Sequence, residues 1–325
     1  MKKIGIINKI IAFSNVDGPG NRTAVFFQGC NLHCLYCHNP ETIHFCVGCG
    51  ACLAVCPTGA LEGGHGEAVT GEGDFLPSPG RGRGWHGKAV MGEGDLLQPV
   101  TWHPQKCVSC DACIKACPHL ASPKTRRMTA EELVTEIKKT APYINGVSFS
   151  GGECTLQRDF LVEVIPLIRQ LGLGVLLDSN GTYDFEKDPE LLEMIDGVML
   201  DIKAVDPAVC RTLTGAGPEM PIKNLKYLQS VGKLAEVRTV LLPEGSGSVA
   251  GEGDLHPPNS MNELTVRTVA SLLAPSIPYK LLRYRPFGVR QEGVDIIGNT
   301  ITEESAAEAL AALARSLGAE NCRVV

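Results

Sequence analysis

Three cysteines near the start of the chain have the spacing of an iron–sulfur loop. They form a C-x3-C-x2-C array of Cys30, Cys34 and Cys37. Three thiolates can bind three irons of a [4Fe–4S] cluster and leave the fourth iron open to another ligand. A zinc ion completed by His33 or His38 is the alternative for the array taken alone. Iron is favoured because two further cysteine clusters follow in the chain.

Eight more cysteines form two runs with the pattern C-x2-C-x2-C-x3-C-P. The first run is Cys46, Cys49, Cys52 and Cys56, and the second is Cys107, Cys110, Cys113 and Cys117. In bacterial two-cluster ferredoxins, which have this pattern, the fourth cysteine of each run binds the other cluster. The pattern therefore predicts one [4Fe–4S] cluster on Cys46, Cys49, Cys52 and Cys117, and another on Cys107, Cys110, Cys113 and Cys56. Spacing does not distinguish electron transfer from the positioning of a partner protein as the task of this segment.

Composition narrows the functional classes. Eleven of the 14 cysteines fall into the three clusters, which favours iron ligands in a reducing cytoplasm over disulfides. Three others fit no spacing and are expected to be structural thiols: Cys154, Cys210 and Cys322. A net charge of −6 excludes a broadly basic nucleic-acid-binding face. No apolar run reaches the length that spans a membrane, and we expect a monomer.

Six apolar runs with strand character alternate with stretches of helix length. They are residues 23–27, 147–150, 174–178, 198–202, 237–242 and 280–284. Thr129 and Glu132 form a capping box that predicts a helix through Lys139. This alternation predicts an α/β fold, a parallel sheet curled into a partial (β/α)6 barrel with ligands at the carboxyl ends of its strands.

Two domains share the chain. Residues 1–45 and 121–325 supply the barrel, and residues 46–120 form a small inserted ferredoxin-like domain. Residues 62–97 and 244–258 are rich in glycine and share a repeated Gly-Glu-Gly-Asp, so they are interpreted as insertions in surface loops. Deletion of residues 62–97 is expected to leave cluster content and activity intact.

Several motifs carry a resemblance to a known family. The cysteine array with Tyr36 before its third member is the signature of radical S-adenosylmethionine (SAM) enzymes. Residues 13–22, which include Asp17-Gly18-Pro19-Gly20, and residues 28–40 resemble the activating enzymes of glycyl-radical enzymes. The segments most similar to the YjjW branch of these activases are residues 178–181, 199–204 and 232–238. The resemblance covers nearly the whole chain outside the glycine-rich insertions.

The resemblance implies a SAM site beside the cysteine array. The amino and carboxylate groups of SAM would chelate the open iron. The residues that would contact SAM are Tyr36, Gly151, Gly152, Glu153, Asp178, Ser179, Asp201, Lys203 and Arg238. Glu153 would pair with the SAM ammonium group, while Lys203 and Arg238 would meet its carboxylate or ribose. Surface ion pairs are the alternative for Lys203 and Arg238.

The resemblance also implies a monovalent cation near SAM. Its ligands would be Asp178, Ser179, Asp201 and the main-chain carbonyl of Met199. Asp178 and Asp201 end successive predicted strands and therefore converge on one rim, where two uncompensated carboxylates would raise one another's pKa. One departure from the family is Arg285, which stands where many activases have a histidine near the adenosine, so that contact is left open.

The activity implied is reductive cleavage of SAM. One electron from a flavodoxin or ferredoxin-type donor would yield methionine and a 5′-deoxyadenosyl radical, which would take a hydrogen atom from a glycine of a partner glycyl-radical enzyme. A radical SAM enzyme acting on a small molecule or peptide is the second hypothesis. A pure electron carrier is the third, but a carrier needs no cofactor-binding barrel. Residues 17–20 favour the activase.

Overall fold

A computed structural model of the chain describes residues 2–63, 100–243 and 258–325. The two predicted glycine-rich insertions lie outside these ranges except at their edges. Glu62 pairs with Thr101 in a short hairpin, and Pro258 begins a helix. No helix in the described ranges is both long and apolar enough to cross a membrane.

The described residues form eleven strands. Their bounds are β1 Gly5–Ser14, β2 Arg22–Phe27, β3 Leu61–Glu62, β4 Thr101–Trp102, β5 Arg126–Met128, β6 Gly146–Gly151, β7 Gly174–Ser179, β8 Gly197–Asp201, β9 Leu234–Leu241, β10 Tyr279–Arg283 and β11 Cys322–Val324. Nine of them make one open sheet in the order β11-β10-β9-β8-β7-β6-β2-β1-β5. The other two, β3 and β4, pair with each other in the insert.

The six predicted strands are confirmed as β2, β6, β7, β8, β9 and β10, and all neighbouring pairs among them are parallel. The sheet extends beyond them at both edges. β11 adds in parallel to β10, while β1 pairs antiparallel with β2 and with β5. The fold is therefore the expected α/β arrangement, and its main sheet has three more strands than the sequence patterns indicated.

The described residues also form nine α-helices, most of which pack on one face of this sheet. Their bounds are α1 Ala112–Lys115, α2 Ala130–Lys138, α3 Arg158–Arg169, α4 Pro189–Met194, α5 Pro207–Thr214, α6 Glu219–Ser230, α7 Pro258–Leu272, α8 Gln291–Ile297 and α9 Glu304–Ser316. The predicted capping box is confirmed at the start of α2, where Thr129 and Glu132 bond reciprocally. Apolar side chains of alternate strand positions, such as Val147, Leu177 and Val237, pack in the main core with α2, α3, α4, α6, α7 and α9, whereas α1 lies in the insert and α5 and α8 pack in a second cluster.

The opposite positions of the same strands carry polar groups. Because side chains alternate between the two faces of a strand, residues between those core positions point into the concave side of the sheet. They include Ser148 and Ser150 on β6, Asp178 on β7, Asp201 on β8 and Arg238 on β9. The polar side chains expected at the carboxyl ends of the strands are thus continuous with polar side chains further along the same face of the sheet.

Candidate functional site

The loop that carries the cysteine array is attached to the end of α5. The amides of His33 and Leu35 donate to the carbonyls of Thr214 and Leu213, at 2.9 and 2.8 Å. These carbonyls belong to the last turn of α5, where a helix leaves main-chain acceptors unpaired. Gly215, with φ of +84°, then ends the helix. The cluster loop therefore supplies hydrogen-bond donors to the free carbonyls at the end of α5, and these bonds fix the position of the loop.

A second attachment comes from the segment after β10. One guanidinium nitrogen of Arg290, Nη2, donates to the carbonyls of His33 and Cys34, at 3.3 and 3.4 Å. Gly293 packs so closely that an added Cβ would lie 1.9 Å from the Leu35 carbonyl oxygen. The loop is thus held from both sides, and Arg290 is a residue that the sequence reasoning did not single out.

The thiols of the array lie in a buried environment that favours their protonated form until iron binds. Cys34 is buried, and burial raises the pKa of its thiol to about 12. The amide of Leu32 donates to the sulfur of Cys30 at 3.4 Å, and such bonds to cysteine sulfur are among the features that tune iron–sulfur clusters. Iron takes the place of the proton when a cysteine becomes a ligand.

No group of three Cys, His, Asp or Glu side chains in the described residues surrounds a single metal position. In a [4Fe–4S] cluster each thiolate binds a different iron, so the sulfurs stand further apart than ligands of one ion. The histidines needed for zinc are also engaged elsewhere: His33 Nε2 contacts the guanidinium of Arg290, and His38 Nε2 lies 2.8 Å from the Arg285 carbonyl. Because these two nitrogens already have partners, a cluster is favoured over zinc for the array.

Gly151 and Gly152 lie directly against the strand that leads into the array. An added Cβ on Gly152 would lie 2.0 Å from the Gly29 carbonyl oxygen, and Gly151 has φ of +114°. The amides of Gly152 and Glu153 donate to the carbonyls of Phe27 and Gly29. The glycines are therefore required for close packing, which brings this segment to the edge of the cluster loop.

Glu153 has a different environment from the one expected. Its carboxylate is fully buried and accepts hydrogen bonds from the amide and hydroxyl of Thr155, the hydroxyl of Ser179 and the amide of Asn180. Burial raises the pKa of this carboxyl, opposed by those donors. A contact between this carboxylate and the SAM ammonium group would compete with four protein donors, so Glu153 is placed to hold the segments after β6 and β7 together.

Asp178 and Arg238 meet inside the sheet. Arg238 Nη1 lies 3.2 Å from a carboxylate oxygen of Asp178, which also accepts from the Ser150 hydroxyl at 2.9 Å. Burial raises the pKa of Asp178, and the charge of Arg238 opposes that rise. Nη2 of Arg238 points to the sulfur of Met199 at 3.1 Å. Both side chains of the ion pair are mostly buried, so Arg238 is not in a surface ion pair.

Asp201 and Lys203 form a second, half-buried pair. The ammonium group of Lys203 lies 2.6 Å from the Asp201 carboxylate and 5.9 Å from the centre of the Tyr36 ring. Burial, the largest single effect, acts to lower the pKa of Lys203, but attraction to Asp201, Tyr36 and Cys34 together raises it. The hydroxyl of Tyr36 is buried without a hydrogen-bond partner among the described residues. A buried polar group without a partner is costly, so this hydroxyl fits a site that a polar ligand completes.

The two predicted acids thus lie near one another, each with its own cation. Repulsion between them is compensated by Arg238 and Lys203. Ser179, expected to contact SAM and the cation, donates its hydroxyl to Glu153 at 3.1 Å. The structure brings the predicted residues of this rim together, and the monovalent cation stays a prediction.

Glu236 and Lys280 are further members of this polar interior that the sequence reasoning missed. The carboxylate of Glu236 lies 2.6 Å from Arg238 Nε and 2.6 Å from Lys280 Nζ. Lys280 lies opposite Arg238 in the β9–β10 register. The available signal was the charge of Lys280 at the start of a predicted apolar strand.

The insert places one predicted ligand set around a single small cavity. Its lining contains Cys46, Cys49, Cys52 and Cys117. In the other set, Cys56 and Cys107 accept hydrogen bonds through sulfur from the amides of Ala60 and Ser109, at 3.2 and 3.4 Å. Cys113 and Cys52 share the insert's apolar core with Leu61 and Val100. The first set therefore fits the crossed ligation predicted for two clusters, and the second set stays a prediction.

Comparison with known families matches these two regions. The model of the Radical SAM superfamily matches residues 104–247, the 4Fe-4S dicluster domain matches residues 45–121, and a 4Fe-4S single cluster domain matches residues 16–54. The last of these ranges contains the cysteine array.

Curated proteins extend the match over most of the chain. An indoleacetate decarboxylase activating enzyme of Tractidigestivibacter scatoligenes is 30% identical over 73% of each chain. A pyruvate formate-lyase-activating enzyme of Clostridium pasteurianum is 28% identical over 74% of this chain and 70% of its own. A putative glycyl-radical enzyme activating enzyme of Haemophilus influenzae is 26% identical over 96% of this chain and 93% of its own.

Proposed function

Because this chain belongs to the radical SAM activating enzymes of glycyl-radical enzymes, we propose that Cys30, Cys34 and Cys37 hold the catalytic [4Fe–4S] cluster of such an activase. With SAM bound, that cluster supplies the electron for reductive cleavage of the cofactor, and the resulting radical chemistry creates a glycyl radical on a partner enzyme. The observation that supports the assignment is the position of the array, which lies between the end of α5, Arg290 and the Gly151–Gly152 segment.

The residues of this chain orient SAM and exclude water. We assign the positive charges of Lys203 and Arg238 to the SAM carboxylate or ribose, since charge-assisted hydrogen bonds are the strongest that side chains make. Main-chain groups of Gly151 and Gly152 are assigned to the amino end of SAM, because their close packing on Phe27 and Gly29 brings this segment to the edge of the cluster loop. Glu153 is assigned a positioning role, since its carboxylate holds Ser179 and Asn180.

Tyr36 is assigned to the wall of the SAM site. Its hydroxyl is buried and unpartnered among the described residues, and Lys203 lies over its ring. A polar group of SAM would supply the missing hydrogen bond. Asp178 and Asp201 hold the two cations in place, and a monovalent ion coordinated by them with Ser179 and the Met199 carbonyl belongs to the same proposal.

The finer features of the proposal are three [4Fe–4S] clusters in total, a flavodoxin or ferredoxin-type electron donor, a monomeric protein and a cytoplasmic location. The two insert clusters are supported by the dicluster match over residues 45–121 and by the cavity lined by four cysteines. We propose that they carry electrons rather than position the partner, because the catalytic site needs one electron per cleavage.

The deciding experiment is anaerobic reconstitution with SAM, a reductant and candidate glycyl-radical enzymes. A glycine-centred doublet in the electron paramagnetic resonance (EPR) spectrum is expected with the correct partner. Cys34→Ala should abolish SAM cleavage, while Cys322→Ala, which alters a buried thiol on β11, should retain it. Cleavage without a glycyl doublet for any candidate would support a small-molecule or peptide substrate instead, and cleavage by Cys34→Ala would refute the assignment.

A further inference from the structure

Several contacts join the insert to the barrel near its two ends, among them an ion pair of Asp111 with Lys124 at 2.6 Å and a main-chain bridge. His44 and Ala121 form an isolated parallel bridge. Cys46 follows His44 by two residues, and Cys117 precedes Ala121 by four, so the first and last cysteines of the insert flank this bridge. Both belong to the same predicted ligand set. We call that set the inner set, which comprises Cys46, Cys49, Cys52 and Cys117, and the remaining four the outer set, which comprises Cys56, Cys107, Cys110 and Cys113.

The chain that leads into the inner set is bonded directly to the catalytic loop. The amide of Cys30 donates to the carbonyl of Ile43, and the amide of Gly29 to that of Thr42, both at 2.8 Å. Three residues of fully extended chain span at most about 11 Å. The Cα atom of Cys46 therefore lies within about 11 Å of the Cα atom of Ile43, whichever path the chain takes.

Aromatic side chains occupy the junction. The ring of Phe45 packs on Gly29 so closely that an added Cβ there would lie 2.6 Å from it. The rings of His33 and His44 are 5.8 Å apart between centroids. Gly29 precedes Cys30 and Phe45 precedes Cys46, so the contact joins the residues next to a catalytic ligand and an inner-set ligand.

The outer set has a different setting. Cys110 is exposed, and its neighbour Val108 is 63% exposed. Cys113 and the inner Cys52 are buried in the same small apolar core, which places that core between the two sets. The outer set thus contacts the inner set through Cys113 and is open to solvent at Cys110.

We propose that the inner set holds the cluster next to the catalytic array and that the outer set holds the cluster that accepts electrons from outside. One electron passes from a low-potential one-electron carrier to the outer [4Fe–4S]2+ cluster, then to the inner cluster and then to the catalytic one. Each acceptor is reduced by one electron as its donor is oxidised, and no bond or proton changes place. The role of this electron-transfer order in SAM cleavage rests on the proposed function. The order itself can be tested without SAM or a partner enzyme.

Two matched double variants test the order by spectroscopy. Cys46→Ala/Cys49→Ala removes two inner ligands, and Cys107→Ala/Cys110→Ala removes the two at the same places in the other run. In the reduced protein, a neighbouring paramagnetic cluster speeds the spin relaxation of the catalytic cluster. Loss of the inner ligands is expected to slow that relaxation severalfold in EPR power saturation, and loss of the outer ligands to leave it near the wild-type value. The reverse pattern would overturn the proposal.

A second measurement on the unaltered protein guards against misfolded variants. Limited oxidation with ferricyanide, followed by anaerobic alkylation and peptide mass spectrometry, reports which cysteines lose iron first. Cysteines of the outer set are expected to be labelled earlier, and earlier labelling of Cys46, Cys49, Cys52 and Cys117 would contradict the order. Absence of a glycyl radical in the activation assay would refute the proposed function while leaving both readouts unaffected.

Discussion

Glu236 and Arg238, two residues apart on β9, form a buried ion pair in which the carboxylate lies 2.6 Å from Nε of the guanidinium. The same carboxylate binds Lys280 at 2.6 Å, and the exposed fraction of Glu236 is 3%. Arg238 then reaches Asp178 with its Nη1. Glu236 therefore positions the guanidinium of Arg238, which faces the proposed SAM site.

Glu236→Gln is expected to lower the free energy of unfolding by about 3 kcal/mol, because it leaves two buried cations with one carboxylate fewer. Anaerobic urea denaturation measures this change. Glu304→Gln is the matched control, since Glu304 also accepts from an arginine, Arg283 at 3.0 Å, but is largely exposed. The control is expected to change by less than about 1 kcal/mol. Equal effects of the two variants would show that Glu236 is not a buried anchor.

Lys203→Met tests the half-buried pair of Lys203 with Asp201. Lys203 is held by Asp201 at 2.6 Å, and we assign its ammonium group to SAM. Loss of a charge-assisted hydrogen bond of about 1.5–3 kcal/mol is expected to weaken SAM binding by roughly tenfold to a hundredfold, measured by calorimetry on the reconstituted protein. Lys139→Met, which alters an exposed pair with Glu136, should leave SAM binding unchanged. Unaltered affinity in Lys203→Met would remove Lys203 from the SAM site.

The sequence predicted the parts of this site that follow from periodicity. Asp178 and Asp201 end apolar runs, and parallel strands bring such ends to one edge. Ion pairs between side chains of neighbouring strands were not predictable in the same way. Lys280 meets Glu236 only because of the β9–β10 register, which depends on the packing of the whole sheet. The four donors to Glu153 come from two separate segments, and the sequence does not show that they meet. Its carboxylate was therefore expected to be free for SAM.

The added edge strands escaped prediction for a related reason. β1 contains Asn8 and Lys9 within its apolar residues, and its pairing with β2 is irregular at two places. A clear alternation of buried and exposed positions is lost in such a strand. β11 has only three residues, and Cys322 is its single buried member. A strand of that length is too short for periodicity to identify.

Tyr36→Phe is expected to change stability and ligand affinity in opposite directions. Removal of a buried hydroxyl without a partner among the described residues should leave the SAM-free protein as stable or raise its free energy of unfolding by about 1 kcal/mol. If SAM satisfies the hydroxyl, the same variant should bind SAM more weakly, by roughly fivefold for a net hydrogen bond of about 1 kcal/mol. Thermal unfolding with and without SAM measures both. A stable variant with unchanged SAM affinity would indicate that the hydroxyl does not contact the cofactor.

Arg290 provides a prediction about the catalytic cluster itself. Its guanidinium donates to the carbonyls of His33 and Cys34, so it brings a positive charge to the loop that holds the array. Positive charge and hydrogen bonding near a cluster favour its reduced form. Arg290→Met is therefore expected to make the reduction potential more negative, by an amount on the order of tens of millivolts, in an EPR-monitored redox titration. Arg290→Lys keeps the charge and should restore much of the difference. If both variants lose iron equally and show the wild-type potential in the remaining clusters, Arg290 acts only as a structural clamp.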